Sequence, residues 1–247
     1  MSTRFEQIRL EPAYRKVASA LLERITDRSL PVGARLPSET ELARQFGVNR
    51  STVREALREL ETSGLLGRQR GSKLMVVRRP EHHVVAGGVS RALALHDVTY
   101  FDVWQALSIL QPPLAEVAAR RRSAEDLRQV LAAAAQFAAD NRDTQAAVQR
   151  TAEFFRCLGR ATHNPALVLA QEPLIQLLEP SLGAMIDRVP QARSRIATAQ
   201  ARICEGLEAR DAEAAGAWMA RHIRDFRKGY EVAGISLQQK VADGIGS

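Results

Sequence analysis

Residues 36 to 66 read LPSETELARQFGVNRSTVREALRELETSGLL. Ser38 stands three residues before Glu41, the spacing at which a serine oxygen caps a helix start and a glutamate reaches back to it. Leu42 and Phe46 then point inward over barely two turns, and Gly47 supplies the stop. After a two-residue turn, Asn49 or Ser51 can cap a longer helix running to about Ser63, with Val53, Ala56, Leu57 and Leu60 at helical spacing and Gly64 behind it. The first turn of this second helix carries Asn49, Arg50, Ser51, Thr52 and Arg54 away from the apolar stripe. Arginine pairs bidentately with guanine, and serine and threonine hold phosphates, so this is the chemistry of a helix that reads DNA.

The flanks complete the module. An amphipathic helix is predicted from about Pro12 to Thr26, with Val17, Leu21, Leu22 and Ile25 on one face, and the turn SLPVGARLP follows it. Downstream, the runs LLGRQ and KLMVV flank Arg70-Gly71-Ser72 and predict a hairpin. Helix, helix, turn, helix and hairpin make a winged helix-turn-helix over residues 1–79.

Charge agrees with that division. The chain has 247 residues and a net charge of +7. Residues 1–80 hold 16 Lys and Arg, 14 of them Arg, against 9 Asp and Glu, and the remaining 19 basic and 19 acidic residues balance. The excess positive charge therefore sits in the first third, as an anionic polymer contact requires. Membrane-surface binding would call for a lysine-rich amphipathic helix, whereas these arginines are spread over several short elements. With no apolar run near ~18 residues and no apolar core in MSTRFEQIRLEP, neither a membrane span nor a signal peptide is expected, and a cytoplasmic chain is. Only two cysteines occur, Cys157 and Cys204, expected as buried thiols.

Residues 80–97 read as a linker, with His82 and His83 solvated, and a short helix. Beyond it, helical periodicity recurs at about 99–120, 124–140, 143–162, 165–187, 191–209 and 211–232, with breaks expected at Pro112-Pro113, Asn164-Pro165, Pro173, Pro180 and Pro190. The predicted fold is mainly α: the winged module with its small β-hairpin, then an all-helical bundle over 98–235 and a flexible tail over 236–247. A bundle of this kind places a ligand site between its helices. His163 is expected to cap a helix end, Arg120, Arg121 and Arg122 to favour a helix C-terminus with one of them able to reach DNA, and Trp104 and Trp218 to pack in the core or at a dimer contact.

The quoted stretch resembles the DNA-binding signature of GntR-type transcriptional regulators. That resemblance implies base contacts from Arg50 and Arg54, base-edge or phosphate contacts from Asn49, Ser51, Thr52 and Ser38, and minor-groove entry by Arg70 and Gly71 at the wing tip. Thr40 stands where FadR-like members often carry a DNA-binding arginine, so one contact is expected to be missing. QPPLAEVAARRRSAEDL, FFRCLGRATHNPAL and RDAEAAGAWMARHI are similar to the FCD ligand-binding domain of the FadR subfamily.

Many FCD domains hold a divalent metal through one aspartate and three histidines, and the metal holds a carboxylate effector. Here the matching positions are Thr151, Phe155, Gln200 and His222, so the resemblance leaves one ligand of four and implies no metal cofactor. The same four residues then offer hydrogen bonds and a stacking wall to a small organic acid, with an aromatic-degradation intermediate or an acyl thioester as the effector classes. The expected partners are a pseudo-palindromic double-stranded operator, that effector and a second copy of the chain. The expected function is repression of a catabolic operon, with aromatic hydrocarbon catabolism in view; a ligand-independent architectural DNA-binding protein is the alternative. Catalysis is not expected: Cys157 or Cys204 with His163 or His222 is the best nucleophile–base material, no spacing fixes either pair, and no phosphate loop or zinc motif occurs.

Overall fold

The computed structural model describes residues 11–68, 74–139 and 143–244. It divides into two compact units, 1–85 and 86–247.

In the first unit, α1 (Ala13–Thr26) buries Val17, Ala18 and Leu21. Leu22, expected on the same face, is exposed because it lies a hundred degrees round the helix from Leu21, while Ile25 packs at the margin. The Ser38 oxygen accepts the Glu41 amide at 3.2 Å and starts α2 (Glu39–Phe46). Gly47 ends it with φ +64, a left-handed cap that a side chain would strain. Asn49 occupies the cap position of α3 (Arg50–Thr62) but its side chain makes no capping bond; its carbonyl accepts the Val53 amide instead. Val53, Ala56, Leu57 and Leu60 are buried as the spacing predicts.

The hairpin is β1 (Leu66–Arg68) against β2 (Met75–Val77), antiparallel, with Gly67 opposite Val76. Its other edge is covered by residues 33–36, a pairing the sequence did not announce. The Leu36 amide donates to the Met75 carbonyl at 2.9 Å, and the Val77 amide donates to that of Ala34 at 2.9 Å.

The division falls inside α4 (His82–Leu95), a longer helix than expected, with His82 and His83 exposed at its start. The second unit continues with α5 (Tyr100–Arg121), α6 (Ala124–Ala139), α7 (Thr144–Ala161), α8 (Pro165–Arg188), α9 (Ala192–Glu208) and α10 (Ala212–Val232). Thr99 and Asp102 form a capping box for α5, and Asp143, Asn164 and Asp211 cap α7, α8 and α10. α10 packs on α5 and α9, and α7 on α6 and α8. Gly206 lets the α9 and α10 backbones approach closely: a Cβ there would lie 2.8 Å from the Ala215 amide nitrogen.

Pro112, Pro113, Pro173 and Pro180 do not break helices. α5 and α8 run through them. The carbonyls they leave without an amide belong to Ser108, Ile109, Leu169 and Gln176, none of which is buried, so water can solvate them while the opposite faces pack. The stretch from 236 is also corrected, because up to residue 241 it is not a loose tail. The Leu237 and Gln239 carbonyls accept the first-turn amides of Phe101 and Tyr100, at 2.8 and 3.1 Å, which α5 itself leaves unpaired. Val241 is buried at the start of a 3₁₀ turn (Val241–Gly244).

Candidate DNA interface and effector chamber

On the winged module, Asn49, Arg50, Ser51 and Arg54 are exposed and Thr52 is half-buried, so the first turn of α3 presents the polar face the sequence predicted. Ser38 spends an oxygen lone pair on the α2 cap, leaving its hydroxyl proton free of that bond. Thr40 is exposed one residue past Glu39. Arg70 and Gly71 lie outside the described residues.

Arg54 is not a free cation. Its Nη2 donates to Glu39 Oε2 at 2.9 Å, its Nε approaches both carboxylate oxygens at 3.3 Å, and Arg50 Nη2 stands 3.8 Å from the same carboxylate. The Arg54 hydrogen bonds hold the Glu39 carboxyl below its ordinary range. Sequence reading missed Glu39, whose partner is fifteen residues away on another helix.

In the helical unit, Thr151, Phe155, Gln200 and His222 are all buried. The Phe155 and His222 rings stack, 5.8 Å apart with 12° between their planes, and Phe226 lies 4.6 Å from His222. Thr151, one turn before Phe155 on α7, donates its hydroxyl to the Ala147 carbonyl at 2.8 Å. Gln200 falls level with His222 by the register of the α9–α10 hairpin: Gly206 meets Ala215, and Ile196 shares a cleft with Asp225.

Neither polar atom of Gln200, nor His222 Nε2, nor Gln111 Oε1 has a hydrogen-bond partner. Gln111 donates to Gln171 at 3.2 Å, and Gln171 donates to the Phe155 carbonyl at 3.1 Å. Two buried amides that the sequence reading did not single out are therefore tied to the α7 backbone at Phe155. Burial holds His222 down to about 4, so its imidazole is neutral at pH 7. The cleft beside it, lined by Met185, Ile196, Phe226 and Gly229 among others, has about 20 Å³ of free space, room for one water. Arg195 and Asp225, of opposite charge, stand at its edge.

These residues do not fit the divalent metal that many FCD domains hold. One imidazole nitrogen, a neutral amide, a hydroxyl already donating to a carbonyl and a phenyl ring are not a transition-metal donor set. No cluster of three or more His, Cys, Asp or Glu is placed to hold one among the described residues.

The remaining candidates have other occupations. Cys157 and Cys204 are buried, and burial pushes their thiols up to about 11 and about 12, away from nucleophilic thiolate. His163 follows α7 in a left-handed conformation, φ +50, its amide bonded to the Arg160 carbonyl and its Nε2 lying 2.8 Å from Asp126 at the start of α6. The three-arginine cluster is partly used as structure. Arg122 donates to the Leu207 and Glu208 carbonyls at the end of α9, and Arg210 donates to those of Arg120 and Arg122 at the end of α5. Each helix end is thus capped by the other's arginine, and Arg122 is not available to DNA. Trp104 donates to the Ile223 carbonyl at 3.0 Å, while Arg221 lies over the Trp218 ring.

Among the described residues no helix is long and apolar enough to cross a membrane. The profile of the bacterial regulatory proteins of the gntR family matches residues 13–76, and that of the FCD domain matches residues 102–225. The chain is 33% identical to a Uxu operon regulator of Haemophilus influenzae over 66% of this chain and 59% of the relative's length. It is 27% identical to a putative L-lactate dehydrogenase operon regulatory protein of Escherichia coli over 84% of this chain and 82% of that one. The alignment with the first of these relatives thus leaves more than a third of its length unmatched. A solved GntR structure from Streptococcus agalactiae superposes with a TM-score of 0.62 at 25% identity, covering 87% of this chain and 99% of that one. The chain belongs to the GntR family of bacterial regulatory proteins, with its gntR-type module over residues 13–76 followed by an FCD domain over residues 102–225.

Proposed function

We propose that this regulator is a repressor of a catabolic operon that binds a pseudo-palindromic operator as a homodimer, one α3 per half-site, and lets go when a small organic acid enters the helical unit. Arg50 and Arg54 read bases in this proposal, with Asn49, Ser51, Thr52 and Ser38 on base edges or phosphates and Arg70 and Gly71 reaching the minor groove. Thr151, Phe155, Gln200 and His222 receive the effector without a metal. The observation that carries the reading is the set of unpartnered atoms on Gln200 and His222 in a fully buried site. Buried polar groups without partners are rare in finished structures, and a ligand with complementary donors and acceptors supplies what they lack.

The stacked Phe155–His222 pair and Phe226 favour an apolar or aromatic body on that acid. Relatives named for the Uxu and L-lactate dehydrogenase operons support the catabolic setting. An acyl thioester is the second effector class, favoured by the apolar Met185 and Ile196 wall. With about 20 Å³ free beside His222, either ligand must shift α9 or α10 to enter, which gives binding a route to bias the DNA-bound state. The test is a melting-temperature screen of the full chain against aromatic ring-cleavage acids, small hydroxy acids and acyl thioesters, with and without a chelator, followed by release of selected DNA. A shift insensitive to chelator that is abolished in Gln200→Leu supports the chamber, and a shift that vanishes with chelator overturns the metal-free reading.

A further inference from the structure

Glu39 lies on α2, outside the helix that carries the DNA-reading side chains, yet its carboxylate binds one edge of the Arg54 guanidinium. Guanidinium has five N–H donors in a planar fork. The Nε–Nη2 edge faces Glu39, which leaves the two Nη1 hydrogens and the outer Nη2 hydrogen, a second bidentate edge. That edge is the geometry guanine O6 and N7 require. Both partners reach solvent, with side chains 34% and 49% exposed, so the pair stands where DNA can meet it.

We propose that Glu39 is a positioning residue that sets sequence discrimination by fixing the plane of Arg54 while repelling phosphates. This rests on the proposed reading that Arg54 contacts bases. A lone arginine on a flexible stem satisfies itself on any nearby phosphate, and such contacts carry no sequence information. The Glu39 carboxylate opposes that outcome twice. It occupies the donors a phosphate would take, and it places a negative charge against the backbone, with Arg50 at 3.8 Å sharing the field. Non-specific attraction falls while the base-reading edge stays oriented before contact.

A purely structural role is the competing account, since an acidic residue in the first turn favours the helix dipole. Glu41 provides the control: it sits in the same first turn, but its side chain binds Arg44 and Gln45 within α2. The experiment selects duplexes from a randomised pool with the full-length wild type, Glu39→Gln, Glu39→Asp, Glu41→Gln and Arg54→Ala. Affinity for a mixed-sequence duplex is measured against salt in parallel. Glu39→Gln is expected to lose the same consensus positions as Arg54→Ala, to bind mixed-sequence DNA about threefold more tightly, and to steepen the salt slope by about one. Glu39→Asp keeps the charge but withdraws it from Arg54. It is expected to lose those positions while binding mixed-sequence DNA near the wild-type level. Glu41→Gln is expected to select the wild-type consensus. The proposal is overturned if Glu39→Gln or Glu39→Asp retains the full consensus, or if Glu41→Gln loses it equally. A wild type that enriches no sequence overturns instead the DNA reading beneath it.

Discussion

The two units keep their working side chains in opposite states. On the winged module the polar groups of α3 are exposed, and Arg54 is already paired with Glu39. In the helical unit Gln200 and His222 are buried and neutral, and neither the Gln200 amide nor His222 Nε2 has a hydrogen-bond partner. Water screens a surface ion pair and lets it exchange one partner for another cheaply, so the DNA face can be preassembled and still yield to DNA. A buried amide has no such reservoir, and leaving it unpaired weakens the fold until a ligand arrives. The proposed DNA face is held ready; the proposed effector site is held as an unsatisfied demand.

Acid breaks this contrast most strongly. Unfolded His222 takes a proton near its ordinary value of 6.5, whereas the folded site takes one only at about 4. Between those values the unfolded chain binds the proton that the folded chain refuses, so stability falls as pH is lowered through that window, by about 3 kcal/mol in all. Urea titrations from pH 7 to pH 4 should show this loss for the helical unit, and His222→Asn should remove that part of the slope. Equal slopes in both proteins would mean the imidazole is not held neutral.

Arg54→Ala comes next. It should weaken specific operator binding by about 10- to 100-fold in a gel-shift titration with the melting temperature unchanged, because its interactions lie on the surface. Unchanged affinity removes Arg54 from the interface. Gln200→Leu should act in the opposite sense, raising the stability of the ligand-free chain by ~1–3 kcal/mol, since it removes two buried atoms without partners. A lower melting temperature would show that the amide is structural. The smallest expected signal is metal content: elemental analysis of the purified chain should give far less than one zinc or nickel per chain, and a stoichiometric value would refute the chamber described here.

Much of this was legible in advance where two local signals coincided. Ser38 with Glu41 forms a cap placed immediately before apolar periodicity, and α2 begins at the next residue. The caps at Asp143, Asn164 and Asp211 emerged with the structure, although the periodicity already placed the starts of α7, α8 and α10 within a residue of where they lie. Pro112 and Pro173 misled because proline's local penalty was outweighed by burial along the rest of α5 and α8, which no window of sequence contains. Gln111 and Gln171 read as ordinary polar helix residues until packing encloses them. The Glu39–Arg54 pair was invisible for a similar reason: periodicity describes one helix, and this bond joins two. At the chamber, the family positions were found by motif, whereas their lack of partners emerged only from the packed structure.

The free space beside His222 has a kinetic meaning. An effector of ten or so heavy atoms cannot enter a cleft that admits one water, so it must wait for a minor, opened arrangement of the helices. Its observed association rate should therefore level off at high concentration, at the rate of opening, and the apparent dissociation constant should exceed the intrinsic one by the reciprocal of the open fraction. Where the proposed effector is abundant, the response time is then set by how often α9 and α10 part.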